Sequence, residues 1–120
     1  MKTTKILHNI KPNDLVFIEV SGNIFNPTPI RQIIRIKTID YHDDGEWFDY
    51  TGRVVYTNTR LHKSDIDNPL TNCLGISQII SEKFVEVFAK SMYMWKSNEF
   101  LMSDEEKQKQ ISDIRDKIRY

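Results

Sequence analysis

Glycine, cysteine and excess charge are what this chain has least of. Four glycines in 120 residues leave no Gly-rich phosphate loop and few places for backbone to approach a nucleotide closely. The single cysteine, Cys73, cannot form an internal disulfide and fits a reducing compartment. A lone cysteine is more often a small buried apolar residue than a nucleophile. The net charge is zero, so the whole molecule carries no field that would favour nucleic acid or an anionic membrane; either role would need a local patch. No apolar run reaches the length of a membrane span, and the first ten residues lack the apolar stretch of a signal peptide. These absences imply a cytoplasmic protein. Serine and cysteine nucleophile motifs, calcium-loop spacing, internal repeats and low-complexity segments are missing as well.

What remains is a chain with 39% hydrophobic and 28% charged residues, the composition of a soluble globular domain. At this length one domain, spanning residues 1–120, can bury a core without staples. Usage is rich in Ile, Asn and Lys and poor in Ala and Gly, as in an AT-rich genome of a low-GC bacterium or its phage.

Taken in order, Lys11-Pro12-Asn13-Asp14 has turn chemistry. The β-branched and aromatic run Leu15–Val20 reads as a largely buried strand. Asn26-Pro27-Thr28-Pro29 breaks any strand before it, because proline cannot donate to a ladder. The strongest signal is the stretch from Ile30 to Tyr56, two β-rich runs around Asp43-Asp44-Gly45. Residues 57–76 are polar and turn-rich, a long crossing loop. From Ser77 the period becomes helical: Ile80, Phe84, Val87, Phe88, Met92 and Trp95 imply a helix over about 78–96, with a strand through 83–88 as the alternative. Ser77 or Ser81 would cap its start. Ser103 and Glu106 form a capping-box pattern that opens a second helix. That helix carries Ile111, Ile114 and Ile118 on one narrow stripe, suited to packing on one neighbour or pairing with a second copy. The expected fold is α+β: a small bent antiparallel sheet or partly open SH3-like barrel over about residues 13–60, then two C-terminal helices over about 77–119.

A three-residue turn at Asp43–Gly45 would pair His42 with Glu46, Tyr41 with Trp47, Lys37 with Thr51 and Arg35 with Arg53. Strand alternation then splits the hairpin into two faces. Ile34, Ile36, Thr38, Phe48, Tyr50, Val54 and Tyr56 form a core face. Arg31, Arg35, Lys37, Tyr41, Trp47, Asp49 and Arg53 lie opposite, among Ile33, Ile39 and Val55. Like charges facing each other in a sheet are unfavourable, so Arg35 and Arg53 call for an anion between them. It would be a carboxylate of this chain, an acidic partner or a phosphate, with Tyr41 and Trp47 placed to stack on a base.

Other chemistry is weaker. His42, Asp43, Asp44 and Glu46 carry donors for a hard cation, but the turn alone explains Asp-Asp-Gly, and no metal or other cofactor is implied. His8, His42 and His62 with Arg53 or Arg60 have the groups for acid–base cleavage of RNA, with no spacing that selects a site. The apolar residues Phe84, Phe88, Met92, Tyr93 and Trp95 read first as core. The surplus around Tyr93–Trp95 and Phe100–Met102 is hard to bury in so small a domain, and an exposed remnant would mark a protein interface. The function expected is a small non-enzymatic regulatory or inhibitory binding protein of the accessory kind that phages encode, acting on a protein partner. The alternatives are nucleic-acid or nucleotide binding through Arg31, Arg35, Lys37, Tyr41, Trp47 and Arg53, and, less favoured, an enzyme such as a nuclease. Trp95, Phe100, Ile111, Ile114 and Ile118 are the candidate homodimer interface.

Overall fold

The computed structural model describes residues 10–20, 28–41, 48–69 and 76–118, without the side chains of Ile76, Ser77, Ile114, Lys117 and Ile118. The fold is α+β: a curled five-stranded antiparallel half-barrel followed by two C-terminal helices. The strands are β1 (Leu15–Val20), β2 (Ile30–Tyr41), β3 (Phe48–Thr57), β4 (Leu61–His62), β5 (Ile76–Ile80), β6 (Trp95–Lys96) and β7 (Leu101–Met102), and the helices are α1 (Val85–Ser91) and α2 (Asp104–Ile118). The main sheet runs β5-β1-β2-β3-β6, and β4 and β7 form a separate parallel pair.

The entry to β1 is the expected turn. Asp14 N–H donates to the Lys11 carbonyl at 3.0 Å, with Asn13 at φ 76°. Proline first and asparagine at positive φ second is type II chemistry. Two ladder-like bonds, Asn13 N–H to Ile36 O and Ile36 N–H to Asp14 O, lock this turn onto β2.

Two breaks in register curl the β2–β3 hairpin. Ile36 faces Gly52 and Thr38 faces Thr51, so Lys37 is an extra residue on β2. Ile34 faces Val54 and Ile33 faces Tyr56, so Val55 is an extra residue on β3. Each extra residue reverses which side chains face inward beyond it. Ile34 and Ile36 enter a first core cluster with Ile10, Val16, Ile18, Phe48 and Tyr50, and past Lys37 it is Ile39 and Tyr41 that pack there. On the opposite face Leu15, Phe17, Ile33, Tyr56 and Ile80 form a second cluster with Ala89 and Met94.

The pairing expected from a three-residue turn therefore holds at Arg35–Arg53 and fails nearer the loop, where Tyr41 faces Phe48. Residues 42–47, with Trp47 and the His42–Glu46 group, lie outside the described residues. Four side chains sit on faces other than those expected, Ile39 among them, since it packs on the first cluster. Thr38 is exposed and shares a hydroxyl hydrogen bond with Thr51 at 2.6 Å. Tyr56 belongs to the second cluster. Tyr41 leaves the cationic face: its ring lies 5.5 Å from that of Phe48 and its hydroxyl donates to the Ile10 carbonyl at 3.3 Å.

The helix expected over 78–96 is shorter. Residues 78–80 finish β5, antiparallel to β1, because Ile79 packs on the first cluster and Ile80 on the second. Successive apolar residues serving opposite faces require strand geometry. A 3-10 turn at Glu82–Phe84 leads into α1, so the strand alternative for 83–88 fails as well. Ser81 stands at the cap of that turn without a side-chain capping bond. Val85, Phe88, Ala89 and Met92 pack α1 onto the sheet, and the Phe88 ring meets Phe17 edge-on at 5.0 Å. Residues 57–76 are less loop-like than their composition, containing β4, a 3-10 turn at Lys63–Asp65 and the buried Ile66, whose carbonyl accepts from Val54 N–H at 2.8 Å. The cap of α2 is as expected at Ser103, whose hydroxyl accepts from Glu106 N–H at 3.2 Å.

Candidate interaction surface

The cationic residues of the hairpin satisfy one another's electrostatics through acids of the same chain. Arg31 Nε lies 2.6 Å from a Glu19 carboxylate oxygen. Arg35 grips Glu82 with one nitrogen at 2.8 and 3.0 Å and donates to the Asn13 carbonyl at 3.1 Å. Lys37 and Arg53 share Asp67 at 3.9 and 3.7 Å. Arg35 and Arg53 are cross-strand neighbours away from the first core cluster, as the register implies. The anions drawn to them come from the 3-10 turn before α1 and from the segment before Pro69. Tyr41 has turned into the core and is not available to stack on a ligand. Burial raises its phenol pKa above the ordinary value of 10.0; the Ile10 hydrogen bond offsets part of that rise, and Asp14 adds a smaller one.

A different surface carries unspent apolar area. Phe84 is 58%, Val87 70%, Tyr93 75% and Trp95 51% exposed. Val85, Phe88, Ala89 and Met92 point α1 at the sheet, so Phe84 and Val87 stand on its outer side. Phe84, Tyr93 and Trp95 thus depart from the core role their spacing suggests. Trp95 is held by stacking on Phe100, ring centroids 4.8 Å apart, and the Arg60 guanidinium sits 6.0 Å over the Phe100 ring. Arg60 is in turn tied to Glu106 of α2 at 2.6 Å. Trp95 and Phe100, expected at an interface, are therefore brought together. Ile111 is exposed on α2, and the side chains of Ile114 and Ile118 lie outside the described residues.

The end of α1 shapes this surface. Met94 N–H donates to the Ala89 carbonyl at 2.9 Å and Tyr93 N–H to the Lys90 carbonyl at 3.2 Å, the paired bonds of a Schellman cap. The residue at its left-handed position is Tyr93, φ 56°, where glycine is usual. Buried Met94 follows as the apolar plug of the motif. An open groove of about 430 Å³ runs beside it, with Tyr56 and Met94 at its floor, Tyr93 and Trp95 on its walls, and Glu86, Lys90, Lys96 and Glu99 around it. Ser97 fastens the far end: its hydroxyl donates to the Val54 carbonyl at 2.5 Å and its N–H to the Val55 carbonyl at 2.9 Å. Val54 and Val55 both stand at the register break between β2 and β3.

One polar cluster had no spacing signal in the sequence. His62 Nδ1 accepts from Ser64 N–H at 3.3 Å and lies 2.9 Å from the Ser64 hydroxyl, its Nε2 meets the Asp104 carboxylate, and Lys107 reaches the Ser64 hydroxyl at 3.3 Å. His62 caps the 3-10 turn at Lys63–Asp65 and fastens it to the first turn of α2. Asp104 is open to solvent, so the group is a surface clamp between loop and helix. Among the described residues no three His, Cys, Asp or Glu side chains converge as metal ligands, and no helix is long and apolar enough to cross a membrane. Comparison with family models, with curated proteins and with solved structures finds no match to this chain.

Proposed function

We propose that this protein is a small non-enzymatic binding module, regulatory or inhibitory in role, that acts by seating another protein on the outer side of α1 and β6. The observation that carries the reading is the exposure of Tyr93 at 75% and Trp95 at 51% on the walls of the groove, with Phe84 and Val87 exposed at 58% and 70% on the adjoining outer flank of α1. Large apolar side chains clustered on one surface of a small domain mark interaction sites, and Trp and Tyr are enriched among residues that dominate binding. The contrast with the hairpin supports the same choice. Its cations are already paired within the chain, so a phosphate there would have to displace Glu19, Glu82 or Asp67 from them. A protein surface carrying an apolar centre and charges of both signs matches the groove and its rim.

The test is affinity capture on the full chain, followed by purification of the captured protein and its titration by calorimetry against wild type and Trp95→Ala. The expected result is a defined complex whose affinity falls at least tenfold in the variant. An affinity unchanged by Trp95→Ala overturns the reading. So does tight binding of labelled oligonucleotides at low salt that is lost when Arg35 and Arg53 become Ala.

A further inference from the structure

We infer that in the free protein this surface is covered by a second copy of the chain, which a target protein displaces, docked about a two-fold axis with α1 antiparallel to its mate. The inference rests on the reading that the outer side of α1 and β6 is the binding surface, and it adds the identity of the resting occupant.

Charge is the first argument. Arg31, Arg35, Lys37, Arg53 and Arg60 all have acidic partners within the chain. The groove instead gathers charges of both signs that, like several other exposed charges of the described residues, are free to pair outside the chain. Among the described residues Glu86, Lys90, Lys96 and Glu99 take part in no side-chain ion pair, although two are acids and two are bases. Glu86 and Lys90 stand at i and i+4, one turn apart on the same side of α1. A two-fold axis between antiparallel copies of such a helix places each Glu86 opposite the other copy's Lys90. The same exchange can bring Lys96 of one copy toward Glu99 of the other. An isologous interface must complement itself in this way, whereas a surface built for an acidic or basic partner would carry one sign. A net charge of zero also leaves no general repulsion between copies.

Area is the second argument. Aromatic side chains bury about 150–250 Å² each, so the exposed parts of Tyr93 and Trp95 on the groove walls come to roughly 300 Å² per copy. The stems of the four rim charges and the Val87 flank of α1 supply the rest of the roughly 800 Å² per partner that a stable complex needs.

Strain is the third. Tyr93 holds a left-handed backbone, φ 56°, that is unfavourable for a residue with a side chain, yet its side chain is mostly in solvent. In the monomer glycine would serve the cap better. A tyrosine standing there at a cost to the free chain has its compensation in a contact outside it, at the lip of the groove where the two copies meet.

The experiment is sedimentation velocity on the full chain from about 1 to 200 µM, with circular dichroism to confirm that each variant folds. Wild type is expected to approach twice its 14.2 kDa mass as concentration rises. Glu86→Lys and Lys90→Glu should each raise the dimer dissociation constant at least tenfold, because like charges then face each other. Combining them should bring it back to within threefold of wild type, a rescue that general destabilisation would not give. Tyr93→Gly should be folded, more heat-stable and at least tenfold weaker in self-association. A wild type that stays monomeric at 200 µM overturns the inference, as does a double variant no better than its singles. Neither result touches the wider reading, which fails only if protein capture ignores Trp95→Ala or is replaced by Arg-dependent oligonucleotide binding.

Discussion

Gly52→Ala should be among the most damaging single substitutions in the sheet. Gly52 is buried opposite Ile36, beside the extra residue Lys37. A Cβ at this position would lie 2.6 Å from the Arg35 carbonyl oxygen and 2.7 Å from Ile34 Cγ2. Ordinary contacts of this kind begin near 3.4 Å, so β2 and β3 would have to separate by several tenths of an ångström. The obstacle includes backbone, which cannot rotate away, and Ile34 is fully buried in the first cluster. Overpacking of a well-filled core costs about 1–3 kcal/mol, and the backbone clash puts this case at the upper end, about 3 kcal/mol. Elsewhere a glycine-to-alanine change at a compatible position stabilises by about 0.4–1 kcal/mol through the unfolded chain, so even the sign is diagnostic. Against a total of about 5–15 kcal/mol for a domain, the loss should lower Tm by roughly 10 °C. Urea unfolding followed by circular dichroism gives the value directly. A variant within 0.5 kcal/mol of wild type, taken as roughly the limit for a neutral surface change, would mean that the hairpin strands do not approach as closely as described.

Three further outcomes follow from local geometry. Ser97→Ala removes the bond to the Val54 carbonyl and should cost about 1–3 kcal/mol in urea unfolding, since a buried acceptor loses its donor. Arg35→Ala removes the contact of one guanidinium nitrogen with both Glu82 carboxylate oxygens, but both side chains are more than one-third exposed. The loss should stay under about 1 kcal/mol and shrink as salt is added. Tyr41 has a folded pKa above 10.0, so the folded state holds its proton longer than the unfolded state does. Its contribution is fully present below pH 10 and is lost as pH rises through the folded pKa. The stability difference between wild type and Tyr41→Phe should therefore be flat below about pH 10 and narrow above it, measured by urea unfolding at stepped pH; a flat difference throughout would place Tyr41 in solvent.

Much of the fold was legible because it depends on local patterning. The β-branched run of β1, the Pro12–Asn13 turn and the Ser103 cap each follow from residue chemistry within a few positions. Arg35 facing Arg53 came from register alone. The rest was hidden where one residue changes everything downstream. Nothing in the identity of Lys37 or Val55 announces an extra residue, yet each reverses a strand, which is why Thr38, Ile39, Tyr41 and Tyr56 changed faces. The end of β5 has a helical pattern in sequence because Ile80 stands four residues before Phe84, while Ile79 and Ile80 serve opposite faces of the strand. Tertiary packing decided between them, as it does for short apolar runs. Trp95 is half-exposed and stacks on Phe100, as the surplus of aromatic residues over core room implies. The His62–Ser64–Asp104 clamp gave no signal, because its members stand 42 positions apart at the extremes.

The central claim is that the outer side of α1 and β6 is covered by a second copy, and Trp95 can report on it. In a Trp47→Phe background Trp95 is the sole tryptophan of the chain. Its emission and its quenching by acrylamide can be followed as the protein is diluted from about 200 to 1 µM. A covered Trp95 should shift to the red and become several times more quenchable on dilution, and Glu86→Lys should show the diluted behaviour at every concentration. An exposed, freely quenched Trp95 whose signal does not change across that range would contradict the account.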